Sequence, residues 1–195
     1  MSDEVRDPAD LAHWDAVEEA TELLHEEEYH RALSFLRDVI KGDPKNPYAY
    51  YFLGIALYEV GELEAARDAY RATTVMAPKH LGARIAITHV ERKLGRLREA
   101  IKEGMLAVEQ SPQDADALYA VGLAYAARVR VGAEVPGDLG RLASLRDAAL
   151  LDKHPSYVRA LEHVLRAFDA EKKPIAPPPL SAQQTQPGML TLLTR

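Results

Sequence analysis

Three prolines, Pro44, Pro78 and Pro112, stand 34 residues apart. Proline has no backbone N–H to give to a helix, and its ring collides with the preceding turn. Each therefore marks a point where a helix has already stopped. The same stop at a fixed period means that one structural unit is used repeatedly. The unit from Pro47 to His80 is the clearest. Apolar residues recur at helical spacing on either side of Gly61 and predict helices over about 48–60 and 63–76. A chain built this way buries apolar surface mainly by stacking each helical hairpin on the next.

Within that unit Tyr50, Leu53, Gly54, Leu57, Gly61, Leu63, Ala66, Tyr70 and Pro78 fall in a recognisable order. They supply a large residue, a large apolar, a small residue, a large apolar, a turn glycine, an apolar, an alanine, an aromatic and the closing proline. This pattern resembles the tetratricopeptide repeat (TPR), a helix–turn–helix unit of 34 residues. The resemblance implies an all-α fold, an α-solenoid of about four such hairpins with a C-terminal capping helix. It also implies a kind of work, which is holding a peptide or protein.

The repeats are placed at about 13–46, 47–80, 81–114 and 115–155, within a TPR domain over 8–172. Asp7-Pro8 reads as an N-cap followed by proline at the first helical position, and one helix is expected from about Pro8 to Glu26. The third repeat departs from the pattern at Thr88 and Gly104. Glycine inside a helix costs about 1 kcal/mol relative to alanine, so Gly104 predicts a closely approaching neighbour. An insertion at 129–138, with Gly132, Pro136 and Gly137, breaks the fourth repeat. A capping helix is expected over 156–172. Residues 1–7 read as a disordered N-terminus. Residues 173–195 hold five of the twelve prolines and read as a flexible tail.

Composition narrows the function. The net charge of −6 gives no basic face for neutralising phosphates, which argues against nucleic acid. The absence of cysteine excludes disulfide and thiolate chemistry. The N-terminal MSDEVRDPADLAHW lacks a basic region followed by an apolar one, and no apolar run approaches the ~18 residues that span a membrane. A cytoplasmic location is expected. The histidines are scattered, and no phosphate loop, nucleophile elbow or metal-ligand spacing is present. No catalytic residue, metal or cofactor is expected.

TPR geometry implies which side chains face the concave groove: those two, five, nine and twelve places into each repeat. With close neighbours, these give a candidate peptide-binding site of Trp14, Val17, Tyr48, Tyr51, Phe52, Ile55, Tyr58, Ile85, His89, Arg92, Lys93, Tyr119 and Leu123. Tyrosine and tryptophan combine large area, few rotors and a polar handle, which favours them at binding surfaces. The two-carboxylate clamp known from some TPR proteins is not matched, since Val17, Thr21, Phe52, Gly82 and Ala86 stand at its positions. The expected partner is an apolar segment of another protein, with weak salt dependence. The protein's own tail, residues 180–195, is a second candidate occupant, because Leu180 and Met189–Leu193 are apolar and tethered within reach. Two alternatives remain open: a chaperone like those of type III secretion, which the apolar groove resembles, and a structural assembly subunit.

Overall fold

The computed structural model describes residues 8–131, together with Arg141 and Ser144. Among the described residues there are eight α-helices and no strands. The chain divides into two compact units at Ala83/Arg84, within the sixth helix.

The first unit contains α1 (Pro8–Asp15), α2 (Glu18–His25), α3 (Tyr29–Gly42), α4 (Pro47–Glu59) and α5 (Leu63–Met76). α2 packs on α3, α3 on α4, and α4 on α5. α4 is the hub. It is apolar on every side and buries eight of its thirteen residues, as expected of a helix without a polar face. The other members of this core include Val17, Ala20, Leu23 and Leu24 around α2, Leu33 and Leu36 on α3, and Ala66 and Tyr70 on α5. The α4–α5 contact closes over Gly54: a Cβ there would lie 2.5 Å from the Tyr70 ring.

The second unit starts within α6 (Leu81–Lys93) and continues through α7 (Leu97–Gln110) and α8 (Ala115–Arg130). Its core is Ile87 on α6, Ala100, Ile101 and Ala107 on α7, and Leu118, Val121 and Tyr125 on α8. Gly104 has the close neighbours its sequence position predicts. A Cβ there would meet the Val121 Cβ at 2.7 Å and the Thr88 methyl at 3.1 Å.

Two features repeat with the 34-residue period. Glu27, Gly61 and Gly95 all have positive φ, at 60°, 86° and 75°. Each is followed by an N–H that reaches back to a carbonyl in the last turn of the preceding helix, Glu28 to Leu23, Glu62 to Leu57 and Arg96 to Glu91, all at 2.8 Å. This is the left-handed helix stop that glycine enters most cheaply; Glu27 takes it in the first repeat without glycine's freedom. The second feature is an N-cap at Asn46, His80 and Asp114. The Asn46 Oδ1 accepts from the N–H groups of Tyr48 and Ala49. His80 Nδ1 accepts from Ala83, and Asp114 Oδ1 from Ala117.

The expected single helix over 8–26 is two helices. The N–H of Val17 bonds to the Trp14 carbonyl at 3.0 Å, a tighter, three-residue closure. Val17 itself sits at φ −115°, ψ 3° with its side chain fully buried. Trp14 before the break stays exposed, whereas Val17 at the break is buried. The disordered N-terminus, most of the insertion, the helix after it, the capping helix over 156–172 and the tail lie outside the described residues.

Candidate interaction face

In the first unit, six aromatic rings form a connected cluster. Trp14 on α1 meets Tyr48 edge-to-face, with centroids 5.3 Å apart and planes at 89°. It also meets Phe52 at 5.9 Å. Tyr51 contacts Phe52 at 5.5 Å, Tyr70 at 5.8 Å and the His80 imidazole at 4.5 Å. Tyr48 reaches His80 at 6.3 Å. Offset and edge-to-face pairs of this kind add roughly 0.5–1.5 kcal/mol each beyond the area they bury.

The cluster runs from core to surface. Tyr51 is 2% exposed, whereas Trp14 is 38% and Leu11, one turn earlier, 42%. Tyr48 and His80 are half-buried between them. Sequence anchors hold this gradient in place. Asn46, fully buried, caps α4 with its carbonyl and donates its amide to the His13 carbonyl at 2.8 Å, tying the end of α1 to the start of α4. The Tyr48 hydroxyl donates to Asp10 Oδ1 at 2.8 Å. Asn46 is a further determinant of this face. The Asn46-Pro47 pair, an N-cap before proline at the first helical position, is its sequence signal.

The exposure of the other candidate residues differs from an open row. Val17, Tyr51, Phe52, Ile55 and Tyr58 are all buried. For the four on α4 the reason lies in the helix itself: with no polar side to turn outward, it uses most of its circumference for packing. Gly82 contributes, because the Tyr51 hydroxyl lies 3.0 Å from where a Cβ at that position would be. Alanine at Tyr51 and Tyr58 would therefore probe folding as much as binding. In the second unit Ile85, His89 and Tyr119 are buried, Arg92 and Leu123 half-buried, and Lys93 exposed. These residues do not form an exposed basic spot of three, since His89 sits inside and uncharged.

Burial first, and then Arg92 and Lys93, push the His89 imidazole down to about 3. Its Nε2 is buried without a hydrogen-bond partner among the described residues. Burial also lowers His80, whose Nδ1 must stay unprotonated to accept from Ala83. Both groups bind protons more readily unfolded than folded. Stability is therefore complete above the ordinary imidazole value of 6.5 and is lost as pH falls below it, for His89 until about pH 3. At about 1.4 kcal/mol per pH unit, urea unfolding at pH 5 is expected to give a stability roughly 2 kcal/mol below that at pH 7. His89→Phe should remove most of that slope; an unchanged slope would place the acid sensitivity elsewhere.

Among the described residues, no group of three or more histidines, carboxylates or cysteines could hold a metal. No helix there is long and apolar enough to cross a membrane.

Comparison with known proteins agrees with this paired-helix architecture. Residues 23–80 match the tetratricopeptide repeat family model. No curated protein sequence matches the chain. Three of the solved structures that share its fold illustrate the likeness. A MamA RS-1 ArsTM double mutant superposes with a TM-score of 0.64 at 21% identity, covering 82% of this chain and 86% of that one. A tetratricopeptide repeat protein from Parabacteroides merdae gives 0.65 at 17% identity, covering 82% and 60%. YrrB, described as a TPR protein with an unusual peptide-binding site, gives 0.62 at 22% identity, covering 83% and 86%.

Proposed function

We propose that this tetratricopeptide-repeat protein is a non-catalytic scaffold that binds an apolar segment of another protein, and that the segment docks on the exposed end of its aromatic cluster. The contact surface is Leu11, Trp14, Tyr48 and the edge of His80, steadied by Asp10 and Asn46. The observation that carries the reading is α1 itself. It buries none of its residues, yet it holds a large indole in place against Tyr48 and Phe52. A preordered aromatic with more than a third of its surface in water suits a binding anchor, because little further side-chain freedom is lost when a partner covers it. The fold adds support, since YrrB, with the same architecture, has a peptide-binding site by its description.

Tyr51, Phe52, Ile55 and Tyr58 act on this reading as the foundation beneath the contact. The test is partner affinity measured for Trp14→Ala and for Val75→Ala. Val75 is another large apolar residue, 79% exposed on α5. Loss at position 14 with no change at 75 supports the reading; equal losses, or none, would count against it.

A further inference from the structure

From the residue after Trp14 onward, carboxylates predominate. An open groove of about 530 Å³ runs between α2 and α3, and Asp15, the residue after Trp14, stands on its rim. Glu18, Glu19, Glu22 and Glu26 continue the same edge. Among the described residues, none of these five carboxylates has an ion pair. The single cation on the groove, Arg31, is already bonded to Glu28. Leu23 and Phe35 form the apolar part of the lining.

We propose that the segment docking on α1 is basic as well as apolar: it places an apolar anchor on Leu11 and Trp14 and lays a run of lysine or arginine along the α2 carboxylates. This rests on the scaffold reading above and adds the partner's charge to it. Three considerations select this occupant. Five unpaired carboxylates along one groove set up a field that speeds encounter with cations and rejects anions. Lysine and arginine stems can also cover Leu23 and Phe35 while their heads stay among the carboxylates. A second copy of this chain, at net charge −6, would bring like charge to the same surface. The protein's own residues 174–195 carry one charged side chain, Arg195, against five carboxylates.

Trp14 is the only tryptophan in the sequence, so its fluorescence reports occupancy of α1 in the full-length protein. The probes are synthetic peptides with a leucine pair followed by a run of lysine, of glutamine or of glutamate. The lysine peptide is expected to shift the Trp14 emission to shorter wavelength and to bind on the order of tenfold tighter than the glutamine peptide at low salt. That advantage should shrink as salt rises. The exposed pair Glu22→Lys/Glu26→Lys, with unchanged thermal unfolding as the folding control, should abolish the advantage and bring in the glutamate peptide. Equal binding of the lysine and glutamine peptides, unaffected by the charge reversal, would overturn the basic partner and leave the apolar contact standing. Failure of all three peptides to perturb Trp14 would overturn both. Tighter binding by a peptide of residues 174–195, or a concentration-dependent dimer that shields Trp14, would replace the basic partner with the tail or a second copy.

Discussion

Tyr70→Ala is expected to cost about 3–5 kcal/mol of folding stability, the range for deleting a large buried aromatic. The ring is fully buried and fills the space left by Gly54, with the Tyr51 ring 5.8 Å away. Its hydroxyl is a different matter. The oxygen is buried with no hydrogen-bond partner among the described residues, and burial raises its titration well above the ordinary phenol. Tyr70→Phe removes an unpaired polar group without touching the ring, so it should be neutral or stabilising by up to about 1 kcal/mol.

Gly54→Ala supplies the complementary half. Its new methyl would sit 2.5 Å from the Tyr70 ring, and a fully buried ring cannot swing away cheaply. The overpacking cost, about 1–3 kcal/mol, outweighs the roughly 1 kcal/mol that alanine gains over glycine in a helix. In a Tyr70→Ala background the methyl enters the cavity instead, and Gly54→Ala should become stabilising. That reversal of sign, read from urea unfolding of the two single variants and the double, isolates the contact. Additive effects would mean that the α4–α5 interface does not pack through this pair.

Trp14→Ala is expected to weaken partner binding by at least about 2 kcal/mol, close to thirtyfold, as for a central aromatic anchor. Its effect on folding should be far smaller. Trp14 is attached through the edges of Tyr48 and Phe52, and α1 contributes no buried residue to the core. This separation distinguishes an anchor from a packing residue: affinity falls while the unfolding midpoint barely moves. Trp14→Phe, which keeps an aromatic face but less area, should fall between. A variant that loses affinity only in proportion to its loss of stability would assign Trp14 to the core.

The proline register makes the hairpins legible in the sequence, and the helices it predicts over about 48–60 and 63–76 are found at 47–59 and 63–76. The break at Val17 has no such signal. No glycine or proline stands there, and apolar residues run through it at helical spacing. The break coincides with the packing of Trp14 on α4, a tertiary contact that local pattern does not show. The aromatic row was legible as a set of residues but not as a surface. Slot positions give the direction in which Tyr51 or Tyr58 points; they do not say what covers it. What bears on cover is the apolar circumference of α4 and the missing side chains at Gly54 and Gly82. Trp14 and Tyr48 keep their exposure because α1, a short helix lying across the start of α4, has nothing buried of its own.

The central claim is that the partner meets the α1 end of the aromatic cluster. The most direct measurement is photo-crosslinking in the full-length protein, with benzoylphenylalanine at position 14 in one variant and at position 75 in another. Both positions are exposed, and Val75 is the more open of the two. Adducts to one partner from position 14, with none from position 75, are the predicted result. Adducts formed equally from both positions, or from position 75 alone, would contradict the claim.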